Sequence, residues 1–307
     1  MEKTIQGYVQ RNKRRCQKVR QVVFISGKGG TGKSTLVSSL TFLVENKIIA
    51  DCDVEAPNLH IMLDGELLSK EDYSGSKEAV IDLSKCTECD LCREVCRFNA
   101  ISEDFEIIPF KCEGCGSCIL VCPEDAISLE DEKTGEIYVT ETDKGTFAYA
   151  LLDIGADASG KLVTEVRKKI DEHKREEKWA LIDGTPGIGC VVIAAITGVD
   201  AVVVVSEPTK SGISDLERVI QVAEHFMIPS FVCINKYDLN LEITEEIEEY
   251  CQDRKIPILG KIPFDPSIVT ALREYKTPVE AGNTKITNII KDIWAELENN
   301  MNKIETQ

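Results

Sequence analysis

Ser26-Gly27-Lys28-Gly29-Gly30-Thr31-Gly32-Lys33-Ser34-Thr35 decides the reading of this chain. It follows the apolar run Val22-Val23-Phe24-Ile25 and leads into Leu36–Val44, which reads as a helix. Gly27 and Gly32-Lys33-Ser34 satisfy G-x-x-x-x-G-K-[ST] in the strand–loop–helix context that makes the match meaningful. Glycines tolerate positive φ and let the backbone approach a polyphosphate. Successive N–H groups, and the N-terminus of a helix beginning near Lys33, then point at the anion. Lys33 reaches the β- and γ-phosphates, and the Ser34 hydroxyl ligates Mg²⁺. The predicted cradle is Gly27, Gly29, Gly30, Thr31, Gly32, Lys33, Ser34 and Thr35.

The 307 residues suffice for one large α/β domain and a small one. Hydrophobic content of 43% and charged content of 29% are those of a globular protein. No run of 18 apolar residues predicts a membrane span, and no secretory signal is read at the N-terminus, so the expected location is cytoplasmic. A formal charge of −17 argues against nucleic acid or an anionic membrane as the main partner. The charge is uneven. Asp64–Asp143 holds 21 acidic against 7 basic residues, whereas residues 1–20 hold 7 basic residues against Glu2 alone. That basic leader reads as a solvated arm containing an exposed thiol, Cys16, with docking on an acidic segment as the alternative.

Thirteen cysteines in a reducing compartment point to metal rather than disulfides. Eight of them form a repeat at a spacing of 26. Cys86-x₂-Cys89-x₂-Cys92-x₃-Cys96 is followed by Cys112-x₂-Cys115-x₂-Cys118-x₃-Cys122-Pro123. This is the bacterial ferredoxin pattern written twice, in which the fourth cysteine of each run ligates the other cluster. One [4Fe–4S] cluster is therefore assigned Cys86, Cys89, Cys92 and Cys122. The second takes Cys112, Cys115, Cys118 and Cys96. Zinc, with four ligands, does not explain the triple spacing. Arg97 stands where the second run has Pro123.

Lys28 inside the loop makes it resemble the deviant P-loop of the MinD/ParA-type ATPases, which include the nitrogenase iron protein. The resemblance implies an ATP-sandwich dimer in which Lys28 crosses to the partner's nucleotide. Asp51-Cys52-Asp53-Val54-Glu55-Ala56-Pro57-Asn58-Leu59 is similar to switch I of that superfamily. By that match Asp53 positions or activates the attacking water and Asp51 supports the Mg²⁺ shell; a helix-capping pair is the plainer alternative. Asp183-Gly184-Thr185-Pro186-Gly187 resembles its Walker B/switch II element, which implies that Asp183 holds Mg²⁺ through water. Asn235-Lys236-Tyr237-Asp238 is N-K-x-D, and the resemblance makes Asn235 and Lys236 base-side residues, with Pro263 and Asp265 bordering the adenine. Cys190, seven positions after Asp183, matches a cluster cysteine of the nitrogenase iron protein; a small residue at a helix start is the competing reading. Cys233 reads as a core thiol and Cys251 as a surface thiol.

Alternating strands and helices opened by this loop predict an α/β P-loop NTPase fold, a mostly parallel sheet covered by helices on both faces. The expected organisation is an arm (1–20), an ATPase domain (21–63 and 136–307), and an inserted two-[4Fe–4S] ferredoxin domain (64–135, core about 79–131). Asp64 to about Lys85 reads as its entry linker and Asp131–Gly135 as its exit turn. The helix from about Thr284 to Asn299 reads as packed on the sheet, because its polar face is mixed and rather acidic, not Lys/Arg-rich, with a membrane-targeting helix as the alternative. The resemblance implies an ATPase using ATP, Mg²⁺ and two [4Fe–4S] clusters. It would work as a dimer with itself or a paralogue, passing electrons to a metalloprotein. A metal-cofactor assembly factor and a positioning ATPase are the alternatives.

Overall fold

A computed structural model describes residues 19–305. The basic arm and Cys16 lie outside them, up to residue 18. The elements run β1 (Arg20–Ser26), α1 (Lys33–Leu43), β2 (Lys47–Asp51), α2 (Leu59–Met62), β3 (Gly65–Ile81), α3 (Leu91–Val95), α4 (Ser117–Val121), β4 (Ile127–Thr142), β5 (Gly145–Leu152), α5 (Gly160–His173), β6 (Trp179–Pro186), α6 (Cys190–Ile196), β7 (Ala201–Ser206), α7 (Lys210–His225), β8 (Ser230–Asn235), α8 (Leu241–Asp253), β9 (Ile258–Ile262), α9 (Pro266–Arg273) and α10 (Thr284–Glu305).

One sheet has the order β3-β4-β5-β2-β6-β1-β7-β8-β9. From β5 to β9 every pairing is parallel. The period-2 geometry of a strand sends alternate side chains to opposite faces. Val22 and Phe24 of β1 pack with Leu36, Val37 and Leu40 of α1 and with Ile286, Ile290 and Ile293 of α10. Val23 and Ile25 pack on the other side with Leu162 and Val166 of α5 and Leu216 and Val219 of α7. A strand covered on both faces is apolar throughout, which is why Ala201–Ser206 and Lys47–Asp51 are buried end to end. α10 presents Ile286, Ile290, Ile293, Leu297 and Met301 to this core, each at most 4% exposed, as its reading as a sheet-packed helix expects.

The acidic segment departs from expectation. Asp64–Lys85 is not a linker: residues 65–81 form β3, paired antiparallel with β4 along its length. Asp131–Gly135 is not a turn but the middle of β4, with Gly135 opposite Tyr73 and Leu152. Gly135 serves close backbone approach, since a Cβ there would stand 2.6 Å from the Leu151 carbonyl oxygen. β3 is exposed at most positions, so no apolar alternation marks it in the sequence; pairing, not burial, makes it a strand. Beyond the Gly135–Leu152 pair the two strands leave the sheet as a ribbon, on the edge where the parallel strands end. Its eight overhanging residues of β4 reach about 26 Å.

The ribbon carries the cysteine-rich module. Its small core of Ala79, Cys92, Ile101, Phe105, Cys118 and Ile127 is separate from the two sheet cores. The repeat is visible in the backbone. Left-handed φ recurs at the 26-residue spacing, at Glu88 and Gly114, Asp90 and Gly116, Asn99 and Asp125. Cys251, expected at the surface, is fully buried in the core beside α8, because it sits on that helix's apolar stripe with Ile243 and Ile247.

Candidate functional site

The loop between β1 and α1 folds as the motif requires. Gly30 and Gly32 have φ of 80° and 89°. Gly27 abuts α7, where a Cβ would lie 2.0 Å from Asp215 Cβ. Lys33 opens α1 and is 5% exposed. Its Nζ donates to Asp183 Oδ1 at 2.6 Å, to Asp53 Oδ2 at 3.3 Å and to Ser34 Oγ at 3.2 Å. Three motifs from separate parts of the chain thus meet at one ammonium group. Burial pulls Lys33 down, but the charges of Asp183 and then Asp53 outweigh it and hold it above its ordinary value.

Asp51 has a different task. Its Oδ1 accepts from Asp53 N at 3.0 Å, and its Oδ2 from Asn58 N at 3.1 Å and Leu59 N at 3.2 Å. It caps the segment between β2 and α2, which is the plainer of the two readings of this residue. Burial, reinforced by Asp183, pushes its carboxyl up to about 8. Asp53 is also raised, by burial first. For Asp51 the raised value means that unfolding releases a proton between the ordinary carboxylate range and about pH 8. Without magnesium, stability should therefore fall as pH rises through that window, by up to about 1.4 kcal/mol per unit from Asp51. Denaturant melts of wild type and Asp51→Asn at several pH values check this; equal slopes would refute it.

Two buried oxygens here have no hydrogen-bond partner among the described residues, Thr31 Oγ1 and Asp183 Oδ2. Buried polar atoms are nearly always satisfied, so the pair suits a bound metal–phosphate group. Beside the loop lies an apolar cavity of about 200 Å³. Its walls include Gly30, Gly32, Thr35, Asn235, Lys236, Pro263 and Asp265, so the expected base-side residues converge. Asn235 acts on the loop itself: its Nδ2 donates to the Thr31 carbonyl at 2.7 Å. Asp265 caps α9, accepting from Ser267 N at 2.9 Å. Asp238 Oδ1 accepts from Phe264 N at 2.6 Å and so fixes a wall of the cavity. Gly29 faces open space.

Lys28 is folded back on its own chain. Its Nζ lies 2.7 Å from Glu207 Oε1 and donates to Thr209 Oγ1 at 3.0 Å and Ser211 Oγ at 3.3 Å. Lys236 holds the other oxygen of Glu207 at 3.1 Å and the Gly30 carbonyl at 2.9 Å. Burial pushes Glu207 up, but the two lysines overcome it and leave the carboxyl below its ordinary value. Sequence reasoning missed Glu207; the available signal was its position just past the all-apolar β7, on the loop-bearing edge.

The eight cysteines of the repeat line two cavities. Cys86, Cys89, Cys92 and Cys122 share one, and Cys96, Cys112, Cys115 and Cys118 the other. Matching amides serve the crossing sulfurs: Ala100 N donates to Cys96 Sγ and Ala126 N to Cys122 Sγ, each at 3.3 Å. Among the described residues no group of three or more His, Cys, Asp or Glu closes to single-ion spacing. Cys190 is exposed at the start of α6 and lines neither cavity.

Sheet order, loop and converging aspartates define the class, an α/β P-loop nucleotide-binding protein. The model of the CbiA family, the CobQ/CobB/MinD/ParA nucleotide binding domain, matches residues 22–279, and the chain belongs to that family as a MinD/ParA-type P-loop ATPase domain. The chain is 33% identical over 293 residues to the uncharacterized protein MJ0578 of Methanocaldococcus jannaschii, covering 91% of this chain and 97% of that one. It is 32% identical over 256 residues to MJ0579 of the same organism, covering 81% and 87%. A 53-residue stretch, 17% of this chain, is 42% identical to pyruvate synthase subunit PorD of Methanothermobacter marburgensis, covering 65% of it. Among solved structures, the septum site-determining protein MinD with Mg-ADP from Pyrococcus horikoshii superposes at TM-score 0.55 and 20% identity, covering 91% and 96%. The ATP complex of a McdA variant from Cyanothece gives 0.56 and 16%, covering 91% and 96%. Among the described residues, no helix is long and apolar enough to cross a membrane.

Proposed function

We propose that the protein hydrolyses ATP in a nucleotide-driven dimer, formed with itself or a paralogue, and couples that switch to two [4Fe–4S] clusters that pass electrons to a partner metalloprotein. The observation that carries the redox half is the crossed sorting of the cysteines, four to each cavity, in the sets that the ferredoxin pattern requires. A four-iron cage takes its thiolates on separate irons, so it does not need a single-ion ligand group, which the described residues lack. The amides of Ala100 and Ala126 would offset thiolate charge. The short likeness to a pyruvate synthase subunit agrees. These clusters would supply one-electron chemistry when bound.

The nucleotide half rests on Lys33, Asp53 and Asp183. Arriving phosphates offer Lys33 a second anion and free Asp53 to orient water, while Asp183, through its unpartnered oxygen, and Ser34 would hold Mg²⁺. Asp51 ties this event to the ribbon, because it caps the segment that leads through α2 into β3. A positioning role is the reading favoured by the MinD and McdA neighbours. The buried apolar face of α10 argues against a membrane-targeting helix there.

Anaerobic purification with iron and sulfide analysis, then EPR of the reduced protein with and without Mg-ATP, tests the proposal. About eight irons per chain and a nucleotide-dependent signal are expected; absent clusters, or spectra and potentials indifferent to ATP, refute it. In the dimer Lys28 would leave Glu207 for the partner's nucleotide. Lys28→Ala should keep fold and iron content, lose ATP-dependent dimerisation, and slow hydrolysis by about 10²–10³-fold. Sedimentation and phosphate release check this, and wild-type values for both would confine Lys28 to its contact with Glu207.

A further inference from the structure

Where the ribbon leaves the sheet there is a cleft of about 280 Å³ that the nucleotide site does not use. One wall is the module loop with Phe110, Cys112 and Glu113, and the opposite wall is the β5–α5 loop with Ile154, Gly155 and Asp157. Cys112 also lines the cavity of Cys96, Cys115 and Cys118, so this residue borders both that cavity and the cleft. Two large apolar side chains stand at the cleft in water, Phe110 at 81% exposed and Ile154 at 93%. Phe110 is held at φ 61°, a conformation that bulky residues rarely adopt. Its ring lies 3.4 Å from where a Cβ on Gly155 would be, at φ +87°, so module and ATPase domain meet through this pair. Strained, exposed aromatics of this kind concentrate at functional surfaces.

Charge decides the kind of occupant. Glu78, Glu113, Glu132, Asp153 and Asp157 line the same cleft as the apolar pair. Among the described residues the one cation lining the cleft, Lys133, is already paired with Asp72 and Glu136. Burial, then the charge of Glu132, raises the Glu78 carboxyl, as in a field short of cations. An acidic rim around an apolar centre is complementary to a basic rim around an apolar patch.

We infer that this cleft is the docking surface for a basic electron-transfer protein, seated on Phe110 and Ile154, which receives electrons through the cluster cavity that Cys112 borders. The inference rests on the redox reading above. One electron leaves the chain's reduced cluster and reduces the partner's one-electron centre, with no bond made and no proton moved. Because the two apolar anchors belong to different units, docking depends on their relative placement, which the ribbon can change with nucleotide.

The test uses the full holo-protein under anaerobic conditions, with cytochrome c as a basic one-electron acceptor and flavodoxin as an acidic one. Calorimetric titration should show salt-sensitive binding of cytochrome c and none of flavodoxin. Phe110→Ala and Ile154→Ser should each weaken binding by about tenfold or more, with iron content and dimerisation unchanged. Asp157→Asn should weaken it by about twofold to fivefold and reduce the salt dependence. Leu120→Ser, at an 89%-exposed residue on α4, should change nothing. Wild-type binding by Phe110→Ala, transfer of the loss to Leu120→Ser, or equal binding of flavodoxin overturns the inference. So does loss of ATP-dependent dimerisation in Phe110→Ala, which would make this face a contact between copies of the chain. A protein without reducible clusters fails the redox reading, and the inference falls with it; intact clusters with indifferent Phe110 and Ile154 variants fail the docking surface alone.

Discussion

Replacing Lys33 with alanine is expected to abolish Mg-ATP binding and also to destabilise the nucleotide-free protein, by about 3–5 kcal/mol. The second effect comes from what Lys33 touches before any ligand arrives. Its ammonium group is 5% exposed and is held between Asp183 and Asp53. Removing it leaves buried carboxylates facing one another with no compensating cation, and part of the loss is recovered as they take up protons. The destabilisation should therefore be smaller at low pH. Adding Asp183→Asn should restore part of the stability while leaving nucleotide binding dead, because it removes one unpaired charge without rebuilding the cradle. Chemical denaturation of the single and double variants, alongside ATP titration, checks both effects. A Lys33→Ala protein as stable as wild type without nucleotide would show that the ammonium–carboxylate cluster contributes nothing to the fold.

The parallel part of the sheet was legible because burial on both faces forces continuous apolar strands. Ile48-Ile49-Ala50 and Ala201–Val205 could be little else, and the loop at Gly27–Thr35 fixed which edge carried the site. Asp53 and Asp183 were found because each follows such a strand, and the sheet's register brings their strands side by side, Asp51 opposite Asp183. The ribbon was not legible. Glu66, Lys70, Glu71 and Asp72 give β3 no apolar period, and Gly135 looks like a turn until Leu151 is seen against it. Glu207 escaped for another reason: a single carboxylate in a loop carries no pattern, and its meaning depends on Lys28 and Lys236 arriving from distant parts of the chain. Fold follows from periodicity, which is local. The site's ion pairs are long-range and had to be seen in place.

The ribbon changes what the module can do. A module on a flexible linker would report nothing of the switch region, whereas paired strands transmit displacement. Tyr73 Oη and Ser159 Oγ lie 2.8 Å apart, and Lys161 donates to the Ser74 carbonyl at 2.9 Å, so α5 braces the ribbon where it leaves the sheet. In the proposed switch, movement of the Asp51-capped segment would enter β3 at one end and reach Ala79, whose amide lies 3.4 Å from Cys112 Sγ, near the other.

Cys96→Ala should strike the cavity of the other repeat. The sulfur follows α3, belongs by sequence to Cys86, Cys89 and Cys92, yet lines the cavity of Cys112, Cys115 and Cys118. If the clusters are crossed, Cys96→Ala costs one of two clusters, so iron falls from about eight to about four per chain. Hydrogen exchange should then rise around residues 112–118 and not around 86–92. Cys122→Ala should do the reverse, exposing 86–92 and sparing 112–118, because Cys122 lines the first cavity. The local effect should be large. Among the described residues only six buried ones form the module's core, and two of them, Cys92 and Cys118, are themselves cysteines, so little apolar packing remains when a cluster is lost. The sheet cores share no residue with it and should keep their protection, as should nucleotide binding. An uncrossed arrangement predicts that Cys96→Ala opens 86–92. A disulfide or structural zinc arrangement predicts no loss of acid-labile sulfide from either variant. The exchange map of these two single substitutions, read with sulfide analysis, therefore separates crossed clusters, uncrossed clusters and an arrangement without iron–sulfur clusters.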